Sequence, residues 1–408
     1  MRKSFHQLFI LLLLSISSYG QRKSIEETTW KGPVTDTIPV QLENGAIILT
    51  LKIDNRPYRF IFDTGASLSI SGELFNRKQY SVLGSQAIRD ATGNISTSKT
   101  VIIPQLKLGG SLIINCKADV LSYGKSSFFK CLDIDGMIGG DIFKNSLLEI
   151  DLKNNRLIIS PHQEMHAPQS DEYPIVFDTQ YSPFFDIRLK DQYTLNVLFD
   201  TGAEDLLTMP EYIFDESSHV CGYRILRKGR YSLAGAHNIP VRDDYRIALL
   251  DSMQLAGSYF SMAEINVVAR TDISILGAEI LKYGVMRLDY RNSRMSFTPY
   301  PGEKREFIAK DNFPGFSIGR ENRMYIVNGI EFGSEADICG LKIGMQITKV
   351  ANIDLTTYSR NKDCRILRKN LAMMKKFTIE YLNYDRRKKI CTLVKPEVMP
   401  IGSESNNE

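Results

Sequence analysis

The sequence predicts a mostly β protein: two similar, closed-barrel-like lobes followed by a smaller α+β domain. Three observations lead there. A pattern near Asp63 returns near Asp200, and its downstream neighbours return with it. Both copies are built of short runs rich in β-branched and aromatic residues, separated by polar turns. After Pro301 the pattern changes to a third, unrelated unit. A chain of 408 residues, 43% hydrophobic, has room for two or three cores.

The chain opens as a secretory signal does. Arg2 and Lys3 form the charged start and Leu8 to Ile16 the apolar run; Ser18-Tyr19-Gly20 offers small residues before Gln21. Cleavage after residue 20 is the expectation. The alternative, a retained membrane anchor, needs a longer run. No Cys follows the cleavage site, so a lipoprotein anchor is not expected, nor is a later membrane span. The predicted location is periplasmic or extracellular. With 51 basic against 47 acidic residues, and two of the positives in the leader, the rest is near balance and nothing calls for nucleic acid.

The first lobe is expected over residues 35–160 and the second over 173–300, joined by a polar linker at 161–172. Gly45 to Gly65 overlays Ser182 to Gly202: strand, polar turn, strand, then Asp-Thr-Gly. The turns are Asp54-Asn55-Arg56-Pro57 and Lys190-Asp191-Gln192. Further on, Gly136 to Phe143 matches Ser274 to Leu281, and each is followed by a hairpin-like tail, Leu148 to Ile159 and Met286 to Phe297. An offset of about 137 residues fits a duplicated domain rather than a solenoid. Between these landmarks, Asp90 to Asn94 and Ala234 to Asn238 read as hairpin tips, suited to act as lids over a cleft.

Asp63 and Asp200 are the residues on which chemistry would turn. Two carboxyls held close cannot both ionise, so one becomes a base for water and the other an acid for a carbonyl. Gly65 and Gly202 allow a sharp turn beside each carboxyl. Thr64 and Thr201 carry hydroxyls that can lock one loop to the other. Ile138-Gly139 and Leu276-Gly277 suit packing behind the loops, and Asp141 and Glu279 suit the first turn of short helices.

These motifs, apolar-Asp-Thr-Gly-Ala followed about 75 residues later by apolar-apolar-Gly, resemble those of the aspartic peptidase clan over about residues 35–300. The chain looks closest to the retropepsin-like bacterial branch, with both lobes in one polypeptide. The resemblance implies a bilobal β fold with the site in the cleft, Asp63 and Asp200 catalytic, and Thr64, Gly65, Ala66, Thr201, Gly202 and Ala203 shaping the loops. Pepsins usually carry Ser or Thr where Ala66 and Ala203 stand. Losing that hydroxyl should raise the carboxyl pKa values, so a milder working pH is expected. Ser67 and Glu204 follow the loops; retroviral peptidases hold substrate backbone with an acid here. With Gly93 and Gly235 at the hairpin tips they are the candidate substrate-binding positions. No metal or organic cofactor is required, substrates would be proteins or peptides, and a monomer is expected.

Residues 306–396 resemble a PDZ domain on Gly-Ser-x-Ala-x-x-x-Gly-Leu-x-x-Gly-x-x-Ile, Gly333 to Ile347, with Met345 where Asp is usual. The resemblance places Pro314, Gly315, Phe316 and Ser317 at the loop and strand that receive a C-terminal carboxylate. Cys364 to Leu371 reads as the amphipathic helix beside the groove, with Arg365, Arg368 and Lys369 on its polar side. The alternative is a packing domain with an empty groove. Residues 397–408 read as a flexible tail.

Six cysteines permit disulfides. Cys116 and Cys131 flank one segment of lobe one, and lobe two lacks both at the matching Gln254 and Ala269, which favours their pairing. No pairing is readable among Cys221, Cys339, Cys364 and Cys391. His162 and His166 stand four apart, but in the linker and without the Glu of a metallopeptidase helix. Neither Gly-x-Ser-x-Gly nor a P-loop occurs, and Asn94-Ile95-Ser96 is a sequon of consequence only in a eukaryotic secretory host. The sequence thus favours an exported aspartic endopeptidase; the alternative is a non-catalytic peptide-binding protein on the same scaffold.

Overall fold

The computed structural model describes residues 27–43, 45–89, 94–123, 129, 132–161, 170–234, 240–269, 271–303, 306–307, 315–321, 324–356 and 374–394. The leader, most of the linker with His162 and His166, Gly93, Gly235, Cys131, Pro314, the segment Cys364 to Leu371 and the tail lie outside the described residues.

Each lobe starts from a hairpin. Strand Ala46–Ile53 buries nearly every side chain, and Asp54 and Asn55 take positive φ, 50° and 60°, before strand Arg56–Phe62. Two consecutive left-handed residues give the turn whose twist matches that of the strands. Lys190 and Asp191, at 48° and 56°, do the same between Pro183–Leu189 and Tyr193–Asp200.

From there the chain closes a six-stranded ring. Ala46–Ile53 pairs with Arg56–Phe62, which runs parallel to Gly136–Ile138; that strand pairs with Ser69–Ser71, parallel in turn to Ser111–Leu121. Ile95–Leu108 then joins Ser111–Leu121 back to Ala46–Ile53. The second lobe repeats this order and sense with Pro183–Leu189, Tyr193–Asp200, Ser274–Gly277, Leu207–Pro210, Ser258–Val268 and Pro240–Leu255. Closure leaves a small β lobe with no open edge along the ring. Both lobes contribute to a single apolar core, with Phe62, Phe143 and Leu148 from one and Phe185, Phe199 and Met286 from the other.

A six-stranded sheet built from both halves fastens the lobes together. Its central strands, Leu147–Asp151 and Gly284–Asp289, are the repeat's matching tails, paired antiparallel. Leu148 faces Leu288, Glu149 faces Arg287 and Ile150 faces Met286. The register is symmetric about Glu149 and Arg287, so a two-fold relation between the halves passes through that pair.

The C-terminal part has its own core, including Phe316, Val327, Leu341, Ile347, Ile379 and Leu393. Its strands are Phe316–Glu321, Met324–Glu331, Gln346–Val350, Ile353–Asp354, Lys376–Leu382 and Lys388–Val394. Helix Glu335–Ile338 starts at Ser334, whose hydroxyl accepts from the Asp337 amide. This sheet is continuous with lobe two: Met324–Glu331 pairs with Arg224–Ala234, the first strand of the lobe-two hairpin.

The expected Cys116–Cys131 pairing is not found. Cys116 is a free, fully buried thiol in the lobe-one core, with Ile103 and Ala118 among its fellow core residues, so it acts as a small apolar group there. Cys339 and Cys391 form a disulfide between the end of helix Glu335–Ile338 and strand Lys388–Val394. Among the described residues no helix is long and apolar enough to cross a membrane.

Candidate active site

The two Asp-Thr-Gly loops leave the ends of strands Arg56–Phe62 and Tyr193–Asp200 and meet where the lobes meet. The lock is reciprocal. The Thr64 amide donates to the Thr201 hydroxyl at 3.0 Å, and the Thr201 amide donates to the Thr64 hydroxyl at 3.0 Å. Each hydroxyl then donates onward, Thr64 to the Phe199 carbonyl at 2.6 Å and Thr201 to the Phe62 carbonyl at 3.0 Å. Both threonines are fully buried. The amide and hydroxyl of each threonine are therefore satisfied by the opposite lobe.

The carboxyls sit just outside this lock, half-buried, and hydrogen-bond to each other. Asp63 Oδ1 accepts from the Gly65 amide at 2.9 Å and Asp200 Oδ1 from the Gly202 amide at 2.7 Å. The glycines are required by close approach. A Cβ on Gly65 would lie 2.8 Å from the Asp200 carboxyl carbon, and one on Gly202 would lie 2.5 Å from Asp63 Oδ2.

Burial pushes Asp63 well above the usual carboxylate range, and the Asp200 charge and their mutual hydrogen bond push it further; the Gly65 and Ala66 amides oppose this. Burial also raises Asp200, against hydrogen bonds from Asp63 and from the Gly202, Ala203 and Gly65 amides. Like charges this close hold one proton between them.

Behind the loops, the apolar-Gly pairs pack as close as backbone allows. A Cβ on Gly139 would fall 1.7 Å from the Ala66 carbonyl oxygen, and one on Gly277 2.1 Å from that of Asp205. The Gly140 amide donates to Ala66 O and the Ala278 amide to Ala203 O. Asp141 and Glu279 do stand in the first turns of short helical segments, Gly140–Phe143 and Ala278–Lys282. Asp141 Oδ1 accepts from the Leu68 amide at 2.9 Å, tying the helix to the end of the first loop. Glu279 is instead ion-paired to Lys282.

Ser67 is half-buried beside the first loop. Glu204 is exposed and reaches across to lobe one, where its side chain covers Gly45; a Cβ there would meet its carboxyl carbon at 2.4 Å. Ala66 packs against a lobe-one cluster that includes Ile61, Tyr123 and Met137. Tyr123 was not singled out by the sequence. It is buried, its hydroxyl hydrogen-bonds to Ser69 Oγ just past the first loop, and it lies within electrostatic reach of Asp63. It falls past the end of a repeat strand, so the duplication gave no signal for it. Gly315 and Ser317 lie in the C-terminal part: Gly315 has φ 77°, and a Cβ there would meet Ser334 at 2.3 Å, while the Ser334 hydroxyl sits against Gly315 O. Among the described residues no cluster of His, Cys, Asp and Glu is placed to hold a metal ion.

Residues 49–142 match the family model described as aspartyl protease. The matched stretch carries the first Asp-Thr-Gly loop and its Ile-Gly partner, and it supports peptidase activity and the hydrolase class. No curated protein matches the chain.

Proposed function

We propose that the protein is an exported aspartic endopeptidase in which Asp63 and Asp200 activate water, with a C-terminal PDZ-like module that binds peptides. The observation that carries the first part is the hydrogen-bonded pair of carboxyls, both raised, held at the lobe junction by the crossed threonines. In the starting state the pair holds one proton. Asp200 takes a proton from water as its oxygen attacks the scissile carbonyl carbon, and Asp63 gives its proton to the carbonyl oxygen. The tetrahedral diol then collapses: the C–N bond breaks, the amine leaves with the proton held by Asp200, and Asp63 takes the proton of a diol hydroxyl as the new carboxyl forms, so the pair again holds one proton.

Export is supported by the leader-like first twenty residues and by the Cys339–Cys391 disulfide, which suits an oxidising compartment. The peptide-binding reading of the C-terminal part rests on its sequence pattern and on strand Phe316–Glu321. Among the described residues that strand pairs only with Met324–Glu331, which leaves its outer edge for an added strand.

The test is incubation of the mature chain with an unstructured protein and a peptide library from pH 4 to 8, beside Asp63→Asn and Asp200→Asn. Cleavage by the wild type, lost in both variants with folding retained, is the expected result. No cleavage by folded wild type, with peptide binding unaffected by Asp63→Asn, would replace the peptidase with a docking protein.

A further inference from the structure

The C-terminal module does not hang from the peptidase lobes by a linker alone. Strand Met324–Glu331 is shared. On one edge it pairs with Phe316–Glu321, the strand that would receive a peptide, with Phe316 facing Ile330 and Ser317 facing Gly329. On the other edge, Gly329, Ile330 and Glu331 face Tyr231, Arg230 and Gly229 of the lobe-two hairpin. That hairpin, Arg224–Ala234 with Pro240–Leu255, leads to the tip expected to overhang the cleft.

Hydrogen bonding makes the link tighter than pairing alone. The Glu331 amide donates to Gly315 O at 2.8 Å, on the groove side. The next amide, Phe332, donates to Lys228 O at 2.9 Å, on the hairpin side. Adjacent residues at the end of this strand thus hold Gly315 on one side and the lobe-two hairpin on the other. Side chains reinforce both sides. Ser317 Oγ fills the space a Cβ on Gly329 would occupy, the Ile330 carbonyl does so at Gly229, and the Arg230 guanidinium lies 5.9 Å over the Phe332 ring. Beside this ladder the junction is open: a cleft of about 1050 Å³, lined by Lys228, Arg242, Tyr245, Lys342 and Tyr384 among others, lies between the hairpin and the module.

We infer that an extended peptide with a free C-terminal carboxylate, added along the outer edge of Phe316–Glu321, changes substrate cleavage by shifting the lobe-two hairpin through the Met324–Glu331 ladder. This rests on the peptide-binding and peptidase readings above. A ligand can move the hairpin only by its preference for one position of the strand, and the coupling acts equally in reverse on binding.

The experiment uses the full mature chain and a library of ten-residue peptides with free C-termini, the best binder being amidated at its C-terminus as a control. Binding is read by fluorescence polarisation, hairpin motion by amide hydrogen exchange across Arg224–Leu233, and turnover on an unstructured reporter. The expected result is binding of the free acid only, changed exchange in the hairpin, and a shift in kcat/KM of about fivefold or more. The strand's two-residue alternation puts the Arg230 amide on the same side as Lys228 O, facing Ile330. Arg230→Pro removes that amide and leaves those of Gly229 and Tyr231, which face the other way. It should bind the peptide but lose the response. Binding by wild type with unchanged exchange and turnover would overturn the coupling, and so would the absence of any binder. Altered exchange in a chain that cleaves nothing would uphold the coupling and remove the peptidase reading.

Discussion

Thr64 and Thr201 each complete the other's backbone: the hydroxyl of one accepts the amide of the other and then donates to the carbonyl two residues before it. The position of both carboxyls depends on this crossing, because Asp63 and Asp200 are the residues immediately before.

Thr64→Ala would strand the buried Thr201 amide and the Phe199 carbonyl together. Two buried groups left unpaired should cost about 2–4 kcal/mol. Chemical denaturation should show that loss, whereas Thr64→Ser, which keeps the hydroxyl, should stay within about 1 kcal/mol of wild type. Equal losses in both variants would assign the effect to the methyl group.

Gly202→Ala brings a methyl to 2.5 Å from Asp63 Oδ2, and Gly65→Ala brings one to 2.8 Å from the Asp200 carboxyl carbon. Each should separate the carboxyls and, on the proposed mechanism in which the pair acts on the transition state, lower kcat by about a hundredfold or more while KM moves little. Gly139→Ala sets a methyl against backbone at 1.7 Å and should compromise folding itself.

Activity should follow a bell in pH. The proposed mechanism requires one proton on the pair, so activity is lost at low pH when both carboxyls are protonated and at high pH when the second proton leaves. Because burial raises both groups and the Asp200 charge raises Asp63 further, the high-pH limb moves toward neutrality. The profile of kcat/KM between pH 3 and 8 checks this; activity confined below about pH 3 would contradict it.

Asp141 offers a separate pH test, read in stability. Burial raises its carboxyl to about 7, against the Leu68 and Ile142 amides; the Asp119 charge adds to the rise, and Cys116 and Tyr290 lie nearby. A folded pKa above the unfolded value means that the folded state holds the proton better. Its contribution is full below about pH 4 and is lost as pH rises toward 7. Asp141→Asn, which keeps an oxygen for the Leu68 amide, should therefore gain melting temperature relative to wild type across that interval. A constant difference between the two proteins would show that Asp141 does not titrate there.

The Cys339–Cys391 bridge closes a loop with a sequence separation of 52, for which chain entropy gives about 4 kcal/mol as an upper figure. Cys391→Ala, or mild reduction, should make residues 315–394 the first part cut in limited proteolysis, with the paired lobes still intact. Simultaneous cutting of the lobes would mean that the module is needed to keep them folded.

The legible parts of this molecule were the local ones. Asp-Thr-Gly, its glycine partner and the hairpin tails are short, and each occurs twice, so the paired rings and the place of Asp63 and Asp200 in them could be read from the residues. Tyr123 could not, because its partner Ser69 is 54 residues away and it lies outside any repeated run. Cys116 misled: its absence from lobe two suggested a bond, when it fills an apolar space. The join between Met324–Glu331 and the lobe-two hairpin is a ladder of backbone hydrogen bonds, which every sequence can make, so no motif announced it.

The central strands Leu147–Asp151 and Gly284–Asp289 have one further consequence. A site assembled from two separate identical chains comes apart on dilution, because its existence depends on protomer concentration. Here the facing halves are covalently continuous and their effective concentration is fixed by the chain. The facing pair of carboxyls therefore persists at any dilution, and a substitution on one side of the cleft is not copied to the other.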